Sequence, residues 1–210
     1  MKYLFLLLSG IVTVAHANPI LNLWRVGSIK FGRFKLKDGD ISPIYFNLRP
    51  IISIPELFKE ISLMVSRKAT ELSYDTICGV PYAALPIATV VAYEHKKPMI
   101  MRRKEVKDYG IPTSLEGIFA AGDTCLIIED VITKGDSILE TITDVQKVGL
   151  VVNDIIVFID RQQGGVDRLT RLGYRVHVIY TIDDILDILR NEQLIDDTCR
   201  AQTREWIAAH

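Results

Sequence analysis

Apolar positions recur at helical spacing over Pro55–Leu72, where Leu57, Phe58, Ile61, Met64 and Val65 fall on one face. Ser53 is the expected cap, and Pro55 belongs to the first turn. The rhythm then changes. YDTICGVP (74–81) reads as a buried strand, AALPIATVVAYEHKK (83–97) as an apolar helix with Pro86 near its start, and PMIMRR (98–103) as a strand. Parallel strands need such crossovers, so this is a β-α-β unit. KEVKDYGIPTSLEG (104–117) is long and charged, as a loop or lid would be. Beyond it come a strand, TCLIIED (124–130), an amphipathic helix, DSILETITDVQKVG (136–149), closed by Gly149, a strand, VVNDIIVFID (151–160), and another, YRVHVIYTI (174–182). From Asp183 onward the pattern is helical. Regular β-α alternation predicts an α/β fold, a mainly parallel sheet with helices on both faces and ligands beyond the carboxyl ends of the strands.

At 210 residues, 49% of them hydrophobic, the chain can bury one good core, so a single domain over 18–210 is expected. Residues 1–17 stand apart: Lys2, the apolar run Tyr3–Val14 and Ala15-His16-Ala17 resemble a signal peptide or form an extra extension, too short for a membrane span. The formal net charge of −1 argues against general affinity for nucleic acid or acidic membranes. An anionic ligand would need a local basic cluster, and residues 102–107 supply one. Cys78, Cys125 and Cys199 form no C-x-x-C pair, which argues against a disulfide framework or a zinc site; Cys78 and Cys125 are expected in the core.

The strand ends carry the chemistry. Gly79, Pro81 and Tyr82 stand between strand and helix, either as an ordinary turn or with amides open to an anion. Arg102, Arg103, Lys104 and Lys107 are either a solvated loop or a cationic contact. In CLIIEDVITKGDS (125–137), Glu129 and Asp130 leave the core together, and carboxylates buried without a partner would be costly. A hydroxyl, metal or cation is therefore expected beside them. Thr133–Ser137 then offers successive amides and hydroxyls at a helix start, a cradle for phosphate. Neither G-x-x-x-x-G-K-[ST] nor G-x-G-x-x-G is present there, so an NTPase or nicotinamide site is not supported. In DRQQGG (160–165), Arg161 offers a planar fork for a carboxylate, or else pairs with acids near Asp160, and Gly164-Gly165 permits a close turn.

CLIIEDVITKGDS resembles the PRPP-binding motif of type I phosphoribosyltransferases. With FGRFKLKDGDISPIYFNLR, GVPYAALPIATV, RRKEVKDYG and DRQQGG, residues 20–208 resemble orotate phosphoribosyltransferase, closest to the version in the amino-terminal half of animal UMP synthase. The resemblance implies the type I phosphoribosyltransferase fold with a small N-terminal hood, a pentosyltransferase making orotidine 5'-monophosphate for UMP biosynthesis, magnesium as cofactor, a homodimer with shared sites, and fusion to or association with orotidine monophosphate decarboxylase. It places Glu129 and Asp130 beneath the ribose of PRPP, with Asp130 near the metal, which PRPP itself mostly holds. Val131, Ile132, Thr133, Lys134, Gly135, Asp136 and Ser137 surround the 5-phosphate. Lys37, Tyr82, Ala83, Arg103, Lys104, Lys107 and Tyr109 would also meet PRPP, with a non-proline cis peptide at Pro81–Tyr82. Tyr45, Phe46, Thr133 and Arg161 would meet orotate. Lys107, Glu129 and Asp130 are the implied catalytic residues. The chain departs from many bacterial members at Ala83, where they carry lysine, and at Tyr109, where they carry histidine.

A purine-type phosphoribosyltransferase would share 129–137 but has no reason to match SPIYFNLR. A PRPP-sensing module would have lost the lid or the acids, and this chain keeps both. PRPP and pyrimidine synthesis predict a cytoplasmic protein, with export as the alternative that residues 1–17 raise.

Overall fold

The apolar runs at 76–79, 125–132 and 154–160 form the middle of a six-stranded sheet in the computed structural model, which describes residues 18–35, 39–103 and 115–210. The strands are β3 (Thr76–Gly79), β4 (Met99–Arg102), β5 (Leu115–Glu116), β6 (Cys125–Ile132), β7 (Asp154–Asp160) and β8 (Arg175–Thr181), after a separate antiparallel hairpin of β1 (Ile29–Lys35) and β2 (Ile41–Phe46). Their order is β5-β4-β3-β6-β7-β8, parallel throughout except where β5 pairs antiparallel with β4. Every residue of β3 and β7 is buried, as a central parallel strand covered on both faces requires.

Side-chain alternation along the strands builds two cores. Ile77, Leu126, Ile128, Ile156 and Phe158 face helices α1 (Pro19–Arg25), α2 (Pro55–Ala69), α3 (Ala84–His95) and α6 (Ile182–Asn191). Cys78, Cys125, Ile127, Ile155 and Val157 point the other way, to α4 (Asp136–Lys147) and α5 (Gly165–Arg171). The final helix, α7 (Asp197–Ala209), packs against β2, so the hairpin and the chain end together roof the sheet. Cys78 and Cys125 are core thiols as expected, and burial pushes the Cys78 thiol up to about 12.

The structure redraws several boundaries. Ser53 belongs to a short 3₁₀ turn, Arg49–Ser53, and Ile54 opens α2 without a side-chain cap bond. The Phe58 amide already donates to the Ile54 carbonyl at 2.9 Å, and Pro55 has no amide to satisfy. Strand β6 runs past the acids, because Val131 and Ile132 stay paired with Ile159 and Asp160. The expected loop over 104–117 closes with β5; most of that segment lies outside the described residues. Neither α5 nor the hairpin was apparent in the apolar rhythm. Gly149 follows α4 with φ +88°, closing that helix as its position predicts. Among the described residues no helix is long and apolar enough to cross a membrane.

Candidate active site

Parallel strands bring the ends of β3, β4, β6 and β7 to one edge of the sheet. Glu129 is 6% exposed on β6, opposite Val157, and its carboxylate accepts the Asp130 amide at 3.0 Å. Burial raises the Asp130 carboxyl above its ordinary value; Glu129, the amides of Asp130 and Val131, and Arg49 act against that rise. Two adjacent acids held this way can accept hydrogen bonds from hydroxyls or ligate a hard cation, but two are too few to cage one. Among the described residues no group of three or more His, Cys, Asp or Glu gathers to hold a metal. The donor set therefore fits magnesium only with ligand oxygens completing its shell.

A cleft of about 120 Å³ runs from Glu129 along Val131, Ile132 and Thr133 to Gly135, Asp136 and Ser137. Gly135 takes the left-handed conformation at φ +83° ahead of α4, and no side chain caps the helix there. The helix start therefore turns uncapped amides into the cleft, where an anion is favoured. Helix α5 props the loop from behind. The Gly165 amide donates to the Thr133 carbonyl at 2.9 Å, and a Cβ at Gly165 would lie 2.3 Å from that oxygen. Arg168 donates to the Lys134 carbonyl at 3.0 Å and to Asp136 at 2.6 Å. Lys134 itself is exposed.

Arg161, just past β7, lies beside this segment: its amide donates to the Ile132 carbonyl at 3.1 Å. The residue is 9% exposed. One Nη donates to Ser42 Oγ at 3.4 Å, and Nε has no partner among the described residues. The alternative of a local salt bridge is not realised: Asp160 instead accepts the Gln162 amide at 2.8 Å. Burial lowers the pKa of Arg161, so the guanidinium is a desolvated cation with donors to spare. Its central carbon lies 5.7 Å from the Phe46 ring centroid and 5.8 Å from that of Trp206. Tyr45, the neighbour of Phe46 on β2, points to the opposite face and stacks on Phe34 at 5.3 Å. The structure thus brings Phe46 to Arg161 and carries Tyr45 away. Ser42, Trp206 and Arg168 were missed in the sequence; Ser42 and Arg161 lie 119 residues apart, and no local pattern links them.

At the β3 end the Pro81–Tyr82 peptide is cis, as the resemblance implied, and Gly79 lets α3 come close: a Cβ there would meet the Ala84 carbonyl at 2.9 Å. Tyr82 is 55% exposed and Ala83 precedes the first turn of α3. The basic cluster is divided. Arg102 is taken up by α4, donating to Asp144 at 2.7 Å, while Arg103 pairs with Glu116 at 3.0 Å on the exposed side. Lys37, Lys104, Lys107 and Tyr109 lie outside the described residues.

No family model matches the chain. It is 46% identical over 190 residues to uridine 5'-monophosphate synthase of Bos taurus, covering 90% of this chain and 40% of that protein. It therefore spans about two fifths of the bovine relative's length. To orotate phosphoribosyltransferase of Chlamydia felis it is 38% identical over 192 residues, covering 90% of this chain and 93% of that one. The structure of Leishmania donovani UMP synthase superposes with a TM-score of 0.83 at 30% identity, over 91% of this chain and 42% of that chain.

Proposed function

This chain belongs to the orotate phosphoribosyltransferase family, and we propose how its groove divides that family's reaction between its two ends. The reaction is a pentosyl transfer of pyrimidine biosynthesis, in which orotate displaces pyrophosphate from C1 of PRPP to give orotidine 5'-monophosphate. One observation carries the division: Arg161, buried beside Phe46 with an Nε that has no partner among the described residues, directly follows the strand next to the one bearing Glu129 and Asp130. A buried planar fork suits the carboxylate of orotate, and the aromatic ring suits the flat base.

From that end the sugar extends toward β6. The amides of Thr133–Ser137 receive the 5-phosphate, and Glu129 and Asp130 accept hydrogen bonds from the ribose hydroxyls. As the bond to pyrophosphate breaks, positive charge builds on the ribose ring and the two carboxylates beneath it stabilise that charge. Arg103 lies on the pyrophosphate side, and the sequence adds Lys37, Lys104, Lys107 and Tyr109, with Tyr82 and Ala83 at the β3 turn. Magnesium, bound mainly through PRPP oxygens with Asp130 nearby, would neutralise the leaving group. Orotate carries its charge on the carboxylate; as N1 bonds to C1 and the bond from C1 to pyrophosphate breaks, the N1 proton must leave, and an oxygen of the departing pyrophosphate can take it, so positioning and exclusion of water account for the remainder. The reading extends to a homodimer whose lid, carrying Lys107, serves the partner's site, to an orotidine monophosphate decarboxylase as fused or associated partner, and to a cytoplasmic setting.

Purified protein mixed with PRPP, magnesium and orotate should consume orotate, followed as loss of its absorbance. Consumption of uracil or hypoxanthine in its place refutes the assignment of the base.

A further inference from the structure

The Arg161 guanidinium is an unusual group to leave so loosely tied. Its polar restraint among the described residues is a single 3.4 Å bond from Nη to Ser42 Oγ, and no carboxylate pairs with it. Hydrogen bonds therefore do little to fix the plane of the fork. Aromatic faces do more: Phe46 presents its ring from β2 and Trp206 presents its own from α7, at 5.7 and 5.8 Å. The second ring is itself held. Thr203 and Ile207 bury the inner face of α7, Arg200 and Arg204 pair with Asp187 and Asp183 of α6, and His210 stacks on Trp206 with centroids 4.3 Å apart.

We propose that Trp206 is a positioning residue for the base: stacked on the guanidinium with Phe46, it holds the plane of Arg161 so that the free Nε faces the orotate carboxylate. A cation stacked on indole in a desolvated pocket is strongly held, and orientation set before binding spares the ligand the cost of imposing it. The last helix is thereby part of base recognition, although it lies far along the chain from the motifs that carry the chemistry. The inference rests on the reading of Arg161 as the group that meets orotate.

Steady-state kinetics of Trp206→Leu, Trp206→Phe, Arg161→Lys and the Trp206→Leu/Arg161→Lys double variant test it. Trp206→Leu should raise the KM for orotate about five- to tenfold while leaving the KM for PRPP within about twofold. Trp206→Phe, which keeps an aromatic face, should return the orotate KM to within about twofold of wild type. In the Arg161→Lys background, Trp206→Leu should add little, because the planar group it positions is gone. If Arg161→Lys leaves the orotate KM unchanged, the reading of Arg161 fails and this inference with it. If Arg161→Lys raises it and Trp206→Leu does not, or Trp206→Leu raises both KM values alike, the inference alone is overturned. Should Trp206→Leu not fold, 5-fluorotryptophan labelling decides, since the chain has two tryptophans and Trp206→Phe assigns their ¹⁹F resonances. Orotate should then shift the Trp206 resonance and leave that of Trp24 in place; an unmoved Trp206 resonance overturns the proposal.

Discussion

Burial holds the Asp130 carboxyl above its ordinary range, while Glu129, neighbouring amides and Arg49 favour its charged form. A folded-state value above the unfolded one means that the ionised group costs stability at neutral pH, and that the cost is relieved as pH falls through the folded value. In the proposed reaction the same carboxylate stabilises charge on the ribose, which offsets that cost. Asp130→Asn should therefore lower kcat about a hundredfold while raising Tm at neutral pH, with the Tm difference from wild type shrinking as the pH is lowered. Near-normal turnover, or a lower Tm at neutral pH, contradicts this role. The residue types were legible in the sequence because two acids at the end of an apolar run have no structural use. Their position was less so: pairing continues through Val131 and Ile132, so the acids lie within β6, a consequence of β7 extending alongside. Tyr45 and Phe46 show the same limit. A shared motif names both, but strand alternation gives only Phe46 to Arg161.

The strand β6, its loop and α4 form the proposed phosphate end of the groove, and α5 keeps that loop in shape through Arg168 and Gly165. Arg168→Ala removes the bonds to the Lys134 carbonyl and Asp136 without touching Arg161. It should raise the KM for PRPP about three- to tenfold and leave that for orotate unchanged, as initial-rate kinetics at varied PRPP will show. An unchanged KM for PRPP contradicts the buttress. The central strands and the helices over them could be read from apolar runs because burial on both faces dictates them. The hairpin could not: its register shifts between Phe31 and Phe34, which breaks the alternation, and its outer positions are exposed. Helix α5, at seven residues, is too short to show a period.

At the scale of the whole molecule, the hairpin and α7 pack together over a sheet built from the middle of the chain, and the proposed base site lies where they meet. Ser42 and Phe46 of β2, Arg161 after β7 and Trp206 of α7 come from three separate stretches. That is why the phosphate end, written in one segment, was legible, while the base end needed family resemblance to be seen and a folded chain to be completed. The proposed sharing of sites between subunits belongs to this scale too. Mixing inactive Lys107→Ala and Asp130→Asn proteins under exchange conditions should restore about a quarter of wild-type activity, because random pairing puts both intact groups in one site of each mixed dimer. No recovery despite demonstrated exchange contradicts a lid that crosses between subunits. The division of the groove itself is tested most directly by a crystal structure with orotidine 5'-monophosphate bound. The phosphate should lie on the amides of Thr133–Ser137, the ribose hydroxyls on Glu129 and Asp130, and the base carboxylate on the guanidinium of Arg161. A nucleotide whose base carboxylate lies away from Arg161, or whose ribose does not reach the two acids, would contradict the account.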